Sequence, residues 1–457
     1  MRTMEPAHPS SRRDFLLSAA VIAGAASLAS CASGAGPRRP SANSRLRIAQ
    51  VGCGGKGLSD MQACAKDHDI VALCDVDEGK AAQARTEHPK ATFYHDYRDL
   101  LDREKVDAVV VSTPDHSHAV PALIAMEMGC HVFVQKPLTH TVEEARLLTK
   151  VARRTRVITS MGNQGTCLEG FRAAADTVRA GVIGDVTQVH VWTNRPIWPQ
   201  GIARPSWIDP IPATFRWDLW LGPAAHRPYA TARKDTEFKG YAPFQWRGWW
   251  DFGTGALGDM ACHIANLPFF ALELGSPEWI EAEASDHQPE TAPKASTVRY
   301  RFPARGTRPA VDFTWYDGGR LPPADLLPGV TLRNGGFMLV GSKGTLYSPT
   351  DYGETFELHM KDGAPTPPPT QPKLPRARVS GGVHEEWLDG ILANKQPVAS
   401  FDYAGPFTEA MLLGNLAIRL QKRIVWDAAA MRAVGVPEAD ELIRKQYRRG
   451  FELPVTA

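Results

Sequence analysis

A glycine-rich segment near the start of the chain has the residue types and spacing that bind a dinucleotide. The pattern Gly52-x-Gly54-x-x-Gly57 directly follows an apolar run, and Asp75 stands at the end of the next apolar run. The glycines permit a tight turn and let a pyrophosphate approach the N-terminus of the following helix. The carboxylate of Asp75 can accept hydrogen bonds from an adenosine ribose diol, and it repels a 2′-phosphate. We therefore expect NAD, with NADP the less favoured alternative.

Polar residues follow two further predicted strands, where ligands bind in open parallel sheets. Asp115 and His116 begin a helix; Asp115 could cap it, and His116 could contact nicotinamide or substrate. Asn163 and Gln164 follow the last strand of the first domain, and their amides suit substrate hydroxyl groups.

Tryptophan and arginine residues in the middle of the chain are candidate sugar contacts. Several of the 12 tryptophans lie between residues 192 and 250. Indole faces can stack on the CH surface of a sugar, although core packing is the alternative for each tryptophan. The substrate-binding candidates in this part of the chain are Trp192, Arg195, Trp198 and Arg247.

The elements that must position these residues alternate between strand and helix over residues 45–165. Such alternation predicts an α/β Rossmann domain with a doubly wound parallel sheet covered on both faces. The predicted strands are 46–51, 70–74, 106–112, 131–134 and 157–160.

From residue 166 to 457 the pattern changes to short alternating runs separated by glycine and proline. It predicts an α+β domain with an antiparallel sheet. We expect strands at 187–193, 278–285, 297–302, 310–316 and 336–340, and helices at 168–180, 384–393 and 407–421.

Three motifs together resemble the Gfo/Idh/MocA family of glucose–fructose oxidoreductase and inositol dehydrogenase. They are Ser112-Thr113-Pro114, the run Val132-Phe133-Val134-Gln135-Lys136-Pro137-Leu138, and the segment from Gly255 to His263. The family hallmark at the second motif is Glu-Lys-Pro, so Gln135 departs from it while Lys136 is kept. Any role that needs a carboxylate at position 135 is therefore in doubt.

The resemblance implies that the second domain is an open, mainly antiparallel sheet that binds substrate and forms dimers or tetramers. It also implies catalytic roles for Lys136, Asp259 and His263 in a cleft between the domains. Asp259 and His263 are four residues apart and share one face of a helix. A neutral imidazole can take the hydroxyl proton, and an ammonium can stabilise the alkoxide that develops. The implied cofactor contacts are Ser112, Thr113, Pro114, His116, Gln135 and Lys136, beside the glycines and Asp75. No metal is expected.

The first 44 residues have the features of a signal peptide and tether. A twin arginine, Arg12-Arg13, precedes an apolar run over residues 16–29, which resembles a Tat signal; a disordered basic tail is the alternative. Cys31 could accept a lipid anchor, and plain cleavage nearby is the other reading. We expect export to the periplasm or to a membrane surface facing it. The remaining six cysteines lack paired spacing, so we expect no structural disulfide.

The composition and the predicted export signal narrow the range of possible functions. A formal net charge of +2 on 457 residues gives no reason to expect a nucleic-acid partner. We expect an oxidoreductase that oxidises a sugar or glycoside hydroxyl with a tightly bound cofactor regenerated in place, working as a homo-oligomer. A redox-neutral NAD-dependent glycosidase is the first alternative, and a non-catalytic sugar-binding lipoprotein is the second.

Overall fold

The computed structural model describes residues 44–367 and 370–454, so the predicted signal segment, including Cys31, lies outside the described residues. Six parallel strands form the first sheet, in the order β3-β2-β1-β4-β5-β6. Their bounds are β1 Arg47–Val51, β2 Asp69–Cys74, β3 Thr92–Tyr94, β4 Ala108–Val111, β5 His131–Val134 and β6 Thr159–Met161. This sheet confirms the predicted Rossmann domain. The short strand β3 was not among the predicted strands.

Five helices connect these strands, and a sixth leads into the second domain. They are α1 Lys56–Ala65, α2 Glu78–Glu87, α3 Tyr97–Arg103, α4 Ala119–Glu127, α5 Val142–Thr155 and α6 Glu169–Arg179. Helix α5 begins with a capping box, in which Thr141 and Glu144 each accept a hydrogen bond from the backbone N–H of the other. That box fixes the chain directly after the Lys136 segment.

The second sheet has nine strands in the order β13-β12-β11-β7-β10-β9-β8-β14-β15. It is mainly antiparallel, as predicted, but β10 pairs parallel to β7. The strands are β7 Val186–Thr193, β8 Trp279–Ala284, β9 Ser296–Phe302, β10 Val311–Tyr316, β11 Gly335–Gly341, β12 Gly344–Ser348, β13 Glu357–Met360, β14 Ile424–Asp427 and β15 Arg432–Ala433.

The helices of the second domain are α7 Trp217–Leu221, α8 Gly255–Ile264, α9 Asn266–Leu272, α10 Val383–Ala393, α11 Phe401–Leu420 and α12 Asp440–Ile443. Within the described part of the chain, no helix combines the length and apolar character needed to span a membrane.

Two of these late helices pack on the first domain. Trp387 of α10 is fully buried against Phe133 and donates its indole N–H to the carbonyl of Ile158. The segment before α11 bonds to the edge strand β6, with Met161 N donating to Ala399 O at 2.8 Å. Helix α11 then packs along α5. The first sheet is therefore completed by residues 383–420, far along the sequence.

Candidate active site

The turn between β1 and α1 can be made only by glycine at two positions. Gly52 has φ +83°, and a Cβ there would lie 2.6 Å from the carbonyl oxygen of Ser112. A Cβ on Gly57 would lie 2.0 Å from the carbonyl oxygen of Gly52. No side chain caps the first turn of α1. Gly57 N donates to the carbonyl oxygen of Gly54 at 3.0 Å, and the other N–H groups at the start of the helix can face an anion such as a pyrophosphate.

Asp75, at the end of β2, is held against the glycine turn. Its Oδ2 accepts a hydrogen bond from Cys53 N at 2.7 Å, and its Oδ1 accepts one from Asp77 N at 2.9 Å. Burial raises the pKa of this carboxyl group, while the backbone hydrogen bonds oppose the rise. Each carboxylate oxygen keeps a second lone pair for a ribose hydroxyl. Asp77 also lines the cleft, so two carboxylates stand at the adenosine end, and their charge disfavours a 2′-phosphate.

The strand order places the predicted cofactor contacts in a row. Because β2, β1, β4 and β5 are neighbours and parallel, the residues that follow them meet at one edge of the sheet. A cleft of about 350 Å³ runs along this edge. Its lining includes Gly52, Gly54, Asp75, Ser112, Thr113, Pro114, Gln135 and Lys136. The donors, the glycine cradle and the carboxylate fit an extended dinucleotide, and NAD fits better than NADP.

The opposite wall of the cleft comes from the second domain. It is largely aromatic, with Phe215, Trp220, Phe244 and Trp246, and it also contains Arg247. A ligand in the cleft is therefore enclosed between the two domains.

Gln135 belongs to a buried network around Asp60 of α1. Asp60 is fully buried, and its Oδ2 accepts hydrogen bonds from Gln135 Nε2 and from Ser112 Oγ, both at 2.8 Å. Its Oδ1 contacts Lys56 Nζ and lies 3.0 Å from His384 Nε2. These partners hold the pKa of Asp60 below its usual value despite the opposing effect of burial. An amide at position 135 can donate to this carboxylate, which an ionised glutamate could not do.

Lys136 and Asp259 form an ion pair across the domain boundary. Lys136 Nζ lies 2.9 Å from Asp259 Oδ1 and 3.1 Å from the carbonyl oxygen of Asp259. Arg247 Nε lies 3.0 Å from the same Oδ1. Burial alone lowers the pKa of Lys136, but the charge of Asp259 outweighs it and the net shift is upward. The lysine is therefore an ammonium, held at the cleft by a carboxylate.

His263 follows Asp259 by one turn of α8 and is only 5% exposed. Within the described residues neither ring nitrogen has a hydrogen-bond partner, and Nδ1 is fully buried. Its ring packs edge-on against Tyr352, with centroids 4.7 Å apart. Burial and the charge of Lys136 hold the pKa of His263 well below its usual value. The imidazole is neutral at neutral pH, so it can accept a proton.

Asp115 is a buried carboxyl group close to this ion pair. It is 1% exposed, its Oδ2 accepts a hydrogen bond from Thr254 Oγ1 at 2.9 Å, and its Oδ1 has no partner among the described residues. Burial, and then the charge of Asp259, raise the pKa of Asp115 to about 7. No side-chain capping bond is present at this helix, so the helix-cap interpretation is wrong.

Three residues that were predicted to contact the cofactor or the substrate do not line the cofactor cleft. Both ring nitrogens of His116 face carbonyl oxygens, of Phe252 at 3.2 Å and Trp220 at 3.0 Å, which does not support a cofactor contact. Trp192 is fully buried and donates to Arg333 O, and Trp198 is buried and donates to Gln200 Oε1. The burial of these two indoles favours the alternative of core packing.

The other predicted substrate contacts are placed as follows. Arg195 lies in a separate open depression with Arg333 and Asp351, outside the cofactor cleft. Asn163 is fully buried near α8, where its Nδ2 donates to Cys262 O at 2.7 Å and its Oδ1 has no partner among the described residues. Gln164 begins a short 3₁₀ helix and is half-buried. Arg247 alone of the six lines the cofactor cleft.

Sequence reasoning missed the Asp60 network, Tyr352 and the aromatic wall of the cleft. Tyr352 follows β12 in a loop that carries no recognisable motif. The described residues contain no cluster of three or more potential metal ligands. The six described cysteines are buried, and none forms a disulfide with another.

Comparisons with known proteins agree with this geometry. The family model described as "Oxidoreductase family, NAD-binding Rossmann fold" matches residues 46–163. The model described as "Oxidoreductase family, C-terminal alpha/beta domain" matches residues 198–308. A glycosyl hydrolase family 109 protein from Shewanella sp. (strain W3-18-1) is 34% identical over 152 residues. That match spans 31% of this chain and 33% of the relative, so only a third of the relative is compared.

Solved structures share the fold at low sequence identity. The WlbA dehydrogenase from Bordetella pertussis, in complex with NADH and UDP-GlcNAcA, is similar with a TM-score of 0.58 and 17% identity, over 84% of this chain and 99% of that one. The aldose-aldose oxidoreductase from Caulobacter crescentus, complexed with glycerol, gives 0.57 and 16%, over 84% and 100%. By its two matched domains and its fold, this chain belongs to the Gfo/Idh/MocA family of NAD-binding oxidoreductases.

Proposed function

We propose that this chain is an NAD-dependent oxidoreductase that oxidises a hydroxyl group of a sugar or glycoside. The observation that carries the proposal is the ion pair of Lys136 and Asp259, 2.9 Å apart, at the cleft that fits the cofactor. A lysine used only for structure has no need to line a cofactor cleft. Bound NAD⁺ would supply the acceptor for the hydride that leaves the carbinol carbon.

The residues around the ion pair suit the removal of a hydroxyl proton. Neutral His263, with no hydrogen-bond partner among the described residues, takes the proton from the substrate hydroxyl. The ammonium of Lys136 stabilises the negative charge that develops on the oxygen. Asp259 keeps Lys136 charged and fixes its position, and Arg247 helps to hold Asp259. General-base catalysis of this kind typically contributes about 10²–10⁴-fold.

A sugar is the favoured substrate class because similar proteins act on or bind sugars. One similar structure is an aldose-aldose oxidoreductase, and another holds UDP-GlcNAcA. The aromatic wall with Trp220 and Trp246 offers apolar surface for the CH face of a sugar ring.

The second candidate is a glycosidase that oxidises its substrate transiently and returns the hydride after the glycosidic bond is eliminated. It is favoured by the 34% identity to a glycosyl hydrolase family 109 protein. In that cycle a protein base must also remove a proton from carbon next to the oxidised centre. The third candidate, a sugar-binding lipoprotein, needs no ammonium at position 136.

Export remains part of the proposal. The twin arginine and the apolar run over residues 16–29 are its support. NAD is not freely available outside the cytoplasm, so an exported enzyme needs a tightly held cofactor that a second substrate re-oxidises in place. A homo-oligomer built through the open sheet of the second domain also stays a prediction.

The test begins with the cofactor that copurifies with the chain. Denaturing the protein and identifying the released nucleotide shows whether NAD is bound. The native protein is then mixed with sugars and aryl glycosides while NADH absorbance and aglycone release are followed. Lasting NADH formation without aglycone supports the oxidoreductase, whereas net hydrolysis without lasting NADH supports the glycosidase. NAD binding and sugar binding with neither signal would contradict both catalytic candidates and leave the binding protein.

A further inference from the structure

A second cavity lies between the two domains and shares no lining residue with the cofactor cleft. It has a volume of about 200 Å³, well above the space of one water molecule. Its walls come from the start of α5, the loop at 223–225, helix α11 and the C-terminal residues 441–446. The cavity opens beside Gly253 and Thr254, the residues that lead into the helix of Asp259 and His263.

Two buried hydrogen-bond acceptors on residues that line this cavity have no partner among the described residues. His140 Nε2 lies 3.2 Å from the carbonyl oxygen of Gly253, so Nε2 carries the proton and the buried Nδ1 is an acceptor. Asn415 is only 7% exposed; its Nδ2 donates to Thr254 O at 2.9 Å, which leaves its buried Oδ1 unpaired. Buried polar atoms normally have a partner, so both atoms indicate that a donor is missing.

A third group supplies donors. Arg419 lines the cavity and stacks over Trp250, with its Cζ 5.1 Å from the ring centroid. Among the described residues its half-buried guanidinium forms no hydrogen bond and no ion pair within 4 Å, and the carboxylate whose charge acts on it is Asp251, which also lines the cavity. Guanidinium groups that are partly removed from water are normally paired. The cavity thus offers the cationic donors of Arg419 together with the acceptors of His140 and Asn415 and the carboxylates of Asp251 and Glu441.

The combination selects a ligand by exclusion. An inorganic anion could pair with Arg419 but would face the lone pairs of His140 and Asn415 and the carboxylates of Asp251 and Glu441. A cation could satisfy those lone pairs but would meet Arg419 and the ammonium of Lys445. A hydroxyl group both donates and accepts, so a molecule with several hydroxyls satisfies all three groups.

We propose that this cavity is a second binding site, separate from the cofactor cleft, for a polyol or a single sugar residue. Trp250, Leu412 and Leu416 provide apolar surface for the CH groups of such a ligand. This site does not depend on the reaction at the cofactor cleft and would exist in a catalyst or in a binding protein.

Binding at this site acts on the backbone that carries the candidate catalytic helix. His140 and Asn415 hold the carbonyl oxygens of Gly253 and Thr254, and Thr254 Oγ1 donates to Asp115. A ligand that fixes His140 and Asn415 therefore also fixes the start of α8. Slower hydrogen exchange of the amides of residues 253–264 is the expected signature of occupancy.

The test uses labelled D-glucose and labelled myo-inositol in equilibrium dialysis with the full-length, NAD-saturated chain. Arg419→Met removes the cation without breaking a hydrogen bond seen in the structure. Arg423→Met is the matched control, because Arg423 also stacks on a tryptophan, Trp279, but lies outside the cavity. We expect Arg419→Met to weaken one class of sites at least tenfold for one of the probes, and Arg423→Met to leave it unchanged.

A second variant keeps the test decisive if Arg419→Met does not fold. Ala225 is exposed at the cavity, so Ala225→Phe narrows it at little cost to the core, and it should abolish the same class of sites. Equal binding by the parent chain and both variants would overturn the proposal. So would a crystal structure at saturating concentrations of both probes in which the cavity holds only ordered water.

Discussion

At the scale of single residues, Lys136 is the group whose loss should separate chemistry from binding. Lys136→Met keeps most of the side-chain length and removes the ammonium, while Asp259 keeps Arg247 as a partner. We expect the rate of NAD reduction by the best sugar to fall about 10²–10³-fold, because one transition-state donor is lost. The affinity for NAD, measured by calorimetry, should change little. Lys66→Met is the control, because Lys66 is an exposed lysine that pairs with Glu385 outside the cofactor cleft.

Gln135 allows a second residue-scale prediction. Gln135→Glu places a carboxyl group against the buried carboxylate of Asp60, where the two cannot both be ionised without cost. We expect a loss of roughly 2 kcal/mol or more in the free energy of unfolding at neutral pH, measured with denaturant. Adding Asp60→Asn should cost less than the two single changes together. Additive effects would show that the contact carries no energetic coupling.

The sequence shows that residue 135 is a glutamine, but it does not show why a glutamine is suited to that position. Gln135 departs from the family hallmark, and its partner Asp60 lies 75 residues away, on α1. Asp60 has no motif of its own, so only the folded chain, which brings α1 beside the residue that follows β5, reveals the pair. The contact between His263 on α8 and Tyr352 in the loop after β12 likewise has no signal in the sequence, and only the fold reveals it.

The buried carboxyl group of Asp115 should make the stability of the folded chain depend on pH. Its pKa in the folded chain is about 7, raised by burial and by Asp259, against the ordinary value of 3.8. The folded state therefore holds the proton more tightly, so this contribution to stability is complete below about pH 4 and is lost as the pH rises to about 7. Asp115→Asn should remove this decline, because an amide keeps an acceptor for Thr254. Melting temperatures of both chains between pH 4 and 8 test this, and parallel curves would contradict it.

At the scale of elements, substitutions in the β1–α1 turn should separate a glycine that is needed for space from one that is needed only for its backbone conformation. Gly57→Ala forces a Cβ onto the carbonyl of Gly52, so we expect loss of NAD binding and destabilisation of several kcal/mol, or no folded protein. Gly55→Ala meets no atom within 4 Å and strains only the backbone at φ +54°, which costs about 1–3 kcal/mol. Thermal melts and NAD titrations of both variants, with the parent chain as reference, compare the two effects.

Elements with a strong pattern were predicted and irregular ones were not. Strands β1, β2, β4 and β5 are buried apolar runs that precede helices, which is the signature of a parallel sheet. Strand β3 has one exposed and two half-buried residues and gives no such signal. Helix α11 was predicted to begin at 407, but it begins at Phe401, because Pro406 lies inside the helix rather than at its start.

At the scale of the whole molecule, the boundary at residue 165 separates sequence patterns but not folding units. One face of the first sheet is buried by α10, whose Val383, Trp387 and Leu388 share a core with Ile48 and Phe133. The sequence predicts the helix over residues 384–393 but cannot say which sheet it covers, because an apolar helix face fits either sheet.

A fragment of residues 45–165 tests this arrangement. Without α10, α11 and the segment that pairs with β6, we expect the fragment to be largely insoluble and to lack measurable NAD binding. Joining residues 380–425 to it through a flexible linker should restore solubility at least in part. A fragment that is soluble alone, unfolds cooperatively and binds NAD would show that the late helices are not required.

The return of residues 383–420 to the first sheet also sets an order of events during synthesis. The strands that bind NAD leave the ribosome early, but their covering helices are made more than 200 residues later. A nascent chain therefore displays the apolar face around Phe133 until residues 383–420 have been made, and it can close on a nucleotide only after that. A chaperone that covers this face during synthesis should raise the yield of folded protein more than one that acts after release.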